Sequence, residues 1–359
     1  MRLLNAFWAF LAPWMRLLVM GSLIALGACA SASRHVNAEG SSALAKHKQA
    51  PPPTVRISTW TSPTGQVHEV AIWRPAPTAS EPIASASPPS IERVYVVPGS
   101  GCTGMAPILA HYFEGLKARE FIVLHKLHVH AADWPRPTPC RPGFVAQDEL
   151  ASWSLAWRSF MDQDLRERPV PLARVVLVGI SEGAELLPGL MANWPDVGLS
   201  VLLGSTGLDP WDALLMQLQR EHDPLFAGSL QARLDAPSGD AAKHAPANEA
   251  SPSDERLVGG RTLSYWRTLR HWPMAVPLGT SRTPTLVLMG DADGVQATEG
   301  LTRFAQEQHR PWLCTRLVPG ADHGLRIEAT QWRGLWPLVQ GLVQAPTALA
   351  FERRCAQPD

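Results

Sequence analysis

A chain of 359 residues, 45% of them hydrophobic, is long enough for one large domain or two small ones and can bury a sizeable core. Its 32 basic residues are balanced by 32 acidic ones. It therefore lacks the basic surplus that displaces counterions from an acidic polymer, and no nucleic-acid partner is expected. In chain order, the first feature is Arg2 and Arg16 ahead of an apolar run from Leu17 to Ala28. That is the layout of a bacterial secretory signal. Met1-Arg2-Leu3-Leu4 recurs as Met15-Arg16-Leu17-Leu18, so a start at Met15 leaves a compact leader; a genuine long n-region is the alternative.

The run closes on Leu26-Gly27-Ala28-Cys29, which resembles the lipobox of bacterial lipoproteins. The resemblance implies that Cys29 is diacylated, becomes the mature N-terminus and anchors the chain to the envelope membrane. Cleavage after Ala30 or Ala32 by an ordinary signal peptidase, giving a secreted protein, stays open, as does a retained span. The run is short, however, against the ~20 residues that cross a bilayer. Residues 30–53 are rich in Ala, Ser, His and Lys and end in Pro51-Pro52-Pro53. They read as a tether too polar and too small in side chain to pack.

From residue 54 onward the pattern is that of a folded domain. Val55–Trp60 and Val67–Arg74 read as a hairpin around Ser62-Pro63-Thr64-Gly65. A Pro/Ala/Ser loop over 75–90 leads to a short strand, Arg93–Val97. Then come a helix over Met105–Ala118, a strand over Phe121–Val129 and a Pro-rich loop over 131–143. A helix over Ala146–Leu165, a strand over Arg174–Val178, a helix over Ala184–Asn193 and a strand over Leu199–Leu203 follow. Thr285–Met289, Val295–Gln308, Trp312–Val318 and Gln331–Val343 read as strand, helix, strand, helix. This alternation predicts an α/β fold, a mostly parallel doubly wound sheet with an N-terminal antiparallel hairpin. The interval 209–282 breaks the alternation with amphipathic pieces around Trp211–Arg220 and Thr262–Trp272. It predicts a small helical lid insertion, with 236–256 as a mobile loop.

Three motifs carry chemistry. Val175 to Val178 is an apolar strand running into Gly179-Ile180-Ser181-Glu182-Gly183, and a helix follows at once. A sharp strand-to-helix turn lifts a serine hydroxyl clear of the backbone, and the helix N-terminus offers free N–H groups to a developing oxyanion. Leu286–Met289 leads to Gly290-Asp291-Ala292-Asp293. Leu317-Val318 leads to Pro319-Gly320-Ala321-Asp322-His323-Gly324. Serine, acid and histidine, in that order and each at the end of a strand, resemble the α/β-hydrolase family over roughly residues 55–343. The resemblance implies Ser181 as nucleophile, His323 as general base and acid, and Asp293 as the group that orients His323. Asp291 is the competing acid, and Asp322 reads as a loop cap. Val96-Val97-Pro98-Gly99-Ser100-Gly101-Cys102 matches the family's oxyanion loop, with Pro98 where a histidine is common. The backbone N–H groups of Ser100 and Glu182 are then the expected donors. The Gly-rich turn lacks the Lys-Ser/Thr ending of a phosphate-binding loop.

Glu182 itself reads either as a contact for a polar substrate group or as a charge favoured by the helix dipole. Trp134, Trp211, Trp266 and Trp272 read either as lining an acyl pocket or as lid packing. Of the 5 cysteines, four remain if Cys29 is lipidated. The family's strand order brings Cys102 and Cys140 to neighbouring strand ends and Cys314 to the far edge beside the C-terminal segment. The expected pairs are therefore Cys102–Cys140 and Cys314–Cys355. No Cys/His spacing suits zinc, and His128 with His130 makes at most a weak metal pair. No metal and no cofactor are expected, because side chains and backbone supply every part of triad chemistry. The function expected is cleavage of a carboxylic ester or thioester, a small-molecule acyl substrate, in the bacterial envelope. A peptidase or amidase, an acyltransferase and a non-catalytic lipoprotein are the alternatives.

Overall fold

Strand-forming runs of Val, Leu and Ile dictate the architecture. The computed structural model describes residues 54–75, 91–135, 137, 139–235, 257–328 and 330–357. The leader, Cys29, the tether, most of the 75–90 loop and the 236–256 stretch lie outside the described residues. Strands β1 (Val55–Thr61), β2 (Val67–Trp73), β3 (Ile91–Val97), β4 (Ala118–Leu124), β5 (Val175–Ile180), β6 (Leu199–Leu203), β9 (Thr285–Gly290) and β10 (Leu313–Val318) form one eight-stranded sheet. Its order is β1-β2-β4-β3-β5-β6-β9-β10. β1 and β2 pair antiparallel, as do β2 and β4; every later pairing is parallel.

Alternation along each inner strand divides the core between two faces. Val175 and Leu177 look to one face, Val176 and Val178 to the other. The first face is covered by Trp153, Trp157 and Phe160 of the helix Leu150–Glu167 and by Leu186, Leu187 and Leu190 of the helix Glu182–Asn193. The second is covered by Phe113, Trp336, Val339 and Phe351. With both faces dry, the central strands read as continuous apolar runs.

Several boundaries differ from the sequence expectation. Met105–Ala118 is not one helix; only Leu109–Tyr112 is helical. The N–H of Met105 is drawn to His125 Nε2 at 3.0 Å and that of Ala106 to the Ala131 carbonyl at 2.9 Å. Gly115 then breaks the chain at φ +97°. The strand expected to reach Val129 stops at Leu124 and begins earlier, at Ala118, and His128 has φ +63°. The single helix expected over Ala146–Leu165 is two, Pro142–Gln147 and Leu150–Glu167. The break falls where the Asp148 carboxylate turns inward to Lys126. A last helix, Ala348–Ala356, lies beyond the expected final one; Thr347 caps it by accepting the Ala350 N–H at 3.1 Å.

Charge is also buried at the starts of β3 and β4. Arg93, 3% exposed in its side chain, pairs with Glu120 and with Asp164, each at 2.8 Å. Arg168 meets the same two carboxylates, and Tyr95 donates to Asp164 at 2.6 Å. Such a network costs desolvation but fixes register, since each charge is satisfied only in this pairing. Two disulfides, Cys102–Cys140 in the loops after β3 and β4 and Cys314–Cys355 from β10 to the last helix, cross-link the domain.

Between β6 and β9 the interval 209–282 holds helices Pro210–Arg220, Pro224–Asp235, Leu263–Arg270 and Ala275–Thr280. It also holds a two-stranded hairpin the sequence did not suggest: β7 (Leu257–Val258) and β8 (Arg261–Thr262), turning through Gly259 and Gly260, both at positive φ.

Candidate active site

The C-terminal ends of parallel strands are where an open α/β sheet holds its ligands, and the chemistry-bearing motifs converge there. Ser181 follows β5 at φ +53°, ψ −121°, a conformation a non-glycine residue adopts only when its surroundings force it. Its N–H is tied to the Leu203 carbonyl at 2.7 Å. The flanking glycines are there for space: a Cβ on Gly179 would come within 2.6 Å of Ala184 Cα, and one on Gly183 within 2.1 Å of the Val97 carbonyl. The helix Glu182–Asn193 is thereby seated against β3 and β5.

His323, in the loop after β10, reaches Ser181. Its Nε2 lies 2.9 Å from Ser181 Oγ, and its Nδ1 lies 2.7 Å from Asp293 Oδ2. Asp293 is fully buried in its side chain. Its Oδ1 accepts the N–H groups of Val295 and Gln296 at 2.7 and 2.9 Å. A carboxylate only accepts, so Nδ1 carries the proton and Nε2 presents its lone pair to the serine. Gly204, at the end of β6 with φ +63°, makes room for this histidine; a Cβ there would stand 2.8 Å from the His323 carbonyl and 3.0 Å from ring Cε1. Nothing in the sequence marked Gly204, because its neighbour lies in a distant loop.

The two other acids near the motifs have other tasks. Asp291 is exposed and accepts the Gly320 N–H at 2.6 Å. Asp322 caps its own loop through the N–H groups of Gly324 and Arg326 at 2.8 and 2.9 Å.

The turn after β3 lies against the turn that carries Ser181: a Cβ on Gly99 would meet the Ile180 carbonyl at 3.1 Å and Ser181 Cβ at 3.4 Å. Ser100, next to it, is exposed. Glu182 is the first residue of its helix, so its N–H is among those with no intrahelical acceptor. The Cys102–Cys140 bridge holds this turn from the far side.

His125 ties the same turn to β4. Its Nε2 accepts the Met105 N–H at 3.0 Å, and its Nδ1 lies 3.2 Å from the Glu69 carbonyl. Burial lowers its pKa to about 4. The unfolded chain therefore takes up this proton below about pH 6.5 while the folded chain resists it, so stability is lost as pH falls from about 6.5 to about 4. The loss should amount to about 3 kcal/mol. Urea unfolding of wild type and His125→Gln at pH 7 and pH 4 isolates this share; parallel pH dependence in the two proteins would show that His125 does not carry it.

The tryptophans are mostly packing. Trp266 donates to the Val258 carbonyl and Trp272 to the Glu185 carbonyl, at 2.9 and 2.8 Å, while Trp211 lies partly buried against the core. Trp134 is half exposed. His130 pairs with Glu69 at 2.6 Å. Among the described residues no group of three or more His, Cys, Asp or Glu is placed to hold a metal ion.

Sequence reasoning missed the partners of Glu182. The carboxylate is buried and touches Lys126, Arg261 and Tyr265. Burial, opposed by Glu182, lowers Lys126 to about 8. Burial, reinforced by Glu182, raises both Glu185 and the Tyr265 hydroxyl well above their usual ranges.

No family model matches the chain, and no curated protein matches its sequence. Solved structures do match in shape. A hydrolase-like protein from Agrobacterium vitis S4 superposes with TM-score 0.51 at 16% identity, over 81% of this chain and 98% of that one. The likeness is one of fold alone: a mostly parallel sheet with an antiparallel hairpin at one end and helices on its faces, the α/β-hydrolase fold. A serine hydrolase homologue from Coxiella burnetii matches at TM-score 0.41 and 12% identity, over 80% of this chain and 95% of that one. A puromycin hydrolase matches at TM-score 0.46 and 14% identity over 84% of this chain, which spans only 40% of that protein's length.

Proposed function

We propose that the chain is a serine hydrolase that cleaves a carboxylic ester or thioester through an acyl-enzyme. The observation that carries the reading is the relay Ser181 Oγ–His323 Nε2 at 2.9 Å and His323 Nδ1–Asp293 Oδ2 at 2.7 Å, built on a serine held at φ +53°. A serine hydroxyl is a weak nucleophile until a base takes its proton. His323 is in reach to do so as Oγ attacks the acyl carbon, and Asp293 stabilises the imidazolium that results. The tetrahedral oxyanion accepts hydrogen bonds from the N–H groups of Glu182 and Ser100. Collapse expels the alcohol or thiol, which leaves with the proton from His323. Water, deprotonated by the same imidazole, then attacks the acyl-enzyme and releases the acid.

The test is steady-state hydrolysis of a panel: nitrophenyl esters of graded chain length, acyl thioesters and aminoacyl amides, each with and without an added alcohol acceptor. Ester or thioester turnover to free acid supports the reading. Turnover confined to amides makes the chain a peptidase or amidase, and product formed only with the acceptor makes it an acyltransferase.

The compartment belongs to the same proposal. Two disulfides suit an oxidising compartment, and among the described residues no helix is long and apolar enough to cross a membrane. With Cys29 diacylated, the chain is anchored to the envelope membrane. Ala30 and Ser31 carry no aspartate to retain it at the inner membrane, so the outer membrane is its destination in a Gram-negative host. Cys29→Ser is expected to move the protein from the membrane fraction to the soluble one or to stop its maturation. An unmodified N-terminus at Ser31 or Ser33, read by mass spectrometry, would contradict lipidation.

A further inference from the structure

Three buried charges and a partly buried fourth, Arg261, close a ring beside Ser181. Lys126 pairs with Glu182; Glu182 with Arg261 at 2.6 Å; Arg261 with Asp148; and Asp148 with Lys126 at 2.8 Å. The side chains of Lys126, Asp148 and Glu182 are 6%, 2% and 5% exposed, so water does little to screen them. The ring is neutral, two cations against two carboxylates. Aromatic faces brace both cations: Lys126 Nζ lies 4.4 Å from the Trp153 ring centre, and the Arg261 guanidinium lies 4.3 Å from that of Tyr265. Tyr265 also donates to Glu182 Oε2 at 2.9 Å.

Three members of the ring belong to the hydrolase body. Lys126 follows β4, Asp148 lies between two helices, and Glu182 opens the helix after the nucleophile. Arg261 alone comes from the insertion, on the hairpin strand β8. Resting on the serine-hydrolase reading above, we propose that Arg261 is a positioning residue for the oxyanion site. By closing the ring it fixes Glu182, and so the N–H that Glu182 presents to the oxyanion. Both oxygens of Glu182 are occupied by protein donors, so its carboxylate is an anchor rather than a substrate contact. Without Arg261, two buried carboxylates share one ammonium. They repel each other, and the imbalance is relieved by displacing Glu182, by admitting water or by protonating one carboxylate, each of which loosens the hold on Glu182. Glu182 cannot shift alone, because it is bonded to a serine held in a strained turn. Through Arg261 the insertion thereby governs how well the nucleophile turn is set, separately from the bond that its Arg220 donates to the Asp293 carbonyl at 3.0 Å.

The test compares wild type, Arg261→Met and Arg261→Lys as full chains. Arg261→Met is expected to lower kcat on an ester about tenfold or more, with KM within about threefold. It should slow phosphonylation of Ser181 by a similar factor and speed amide exchange in peptides covering residues 179–186. Arg261→Lys, which keeps the charge, should recover most of each loss. A well-folded Arg261→Met with wild-type kcat and wild-type exchange over 179–186, or with its loss confined to KM, overturns the proposal. Should Arg261→Met fail to fold, Arg261→Gln, which removes the charge but keeps a polar side chain of similar reach, is read in the same way: a fall in kcat at constant KM supports the proposal, and an unchanged kcat with unchanged exchange over 179–186 overturns it. If wild-type Ser181 itself does not react with a phosphonate, the hydrolase reading fails, and the exchange comparison alone decides whether Arg261 holds the turn.

Discussion

Ser181→Ala is expected to lower ester turnover on the order of a millionfold while leaving the fold intact. Ser181 sits on a turn at a strand end, is only partly buried, and contributes no apolar packing that alanine would lose. What disappears is a hydroxyl that has an imidazole at 2.9 Å in reach of its proton. His323→Ala should cost about as much, and the double variant little more, because nucleophile and base act as a unit. Substrate binding and the oxyanion donors would sustain the residual rate. Turnover numbers for the three variants on one ester, with circular dichroism to confirm folding, read this directly. Additive losses would mean that the two residues act separately.

Asp293→Asn is expected to cost on the order of ten-thousandfold in kcat, and Asp291→Asn less than about threefold. The two residues stand two apart in the same loop and differ only in what they touch. Asp293 directs one oxygen to His323 Nδ1 and the other to two backbone N–H groups. An asparagine amide would turn its NH₂ toward the ring and favour the tautomer with hydrogen on Nε2, which then has no lone pair for Ser181. Asp291 merely accepts the Gly320 N–H from an exposed position, and an asparagine carbonyl can do the same. Measuring kcat for both variants on one substrate separates them; comparable losses would mean that the loop, rather than the His323–Asp293 bond, matters.

The parts of the fold legible in the sequence were those set by local pattern. Val175–Val178 and Leu286–Met289 announce buried strands because both faces of the sheet are covered, and the Ser, Asp and His motifs follow strand ends directly. The pairing of Cys102 with Cys140 was reachable because the strand order of the α/β-hydrolase fold brings their loops together. The illegible parts depend on partners far away in the chain. Met105–Ala118 has helical spacing, yet its N–H groups go to His125 and Ala131. Asp148 splits a helix because Lys126 draws it in. Glu182 showed only that a charge stood at a helix start. Its ring is assembled from residues 56 and 79 positions away, and no spacing rule connects Lys126 or Arg261 to a serine motif. The β7–β8 hairpin, two residues per strand, is too short for periodicity to reveal.

The most direct measurement on the central claim is covalent labelling of the folded chain with a fluorophosphonate, read by intact mass and peptide mapping. One phosphonyl group per chain is expected, on Ser181, with the reaction slowed at least about a thousandfold in His323→Ala. No label on Ser181, a label on another serine, or an equal rate in His323→Ala would contradict it.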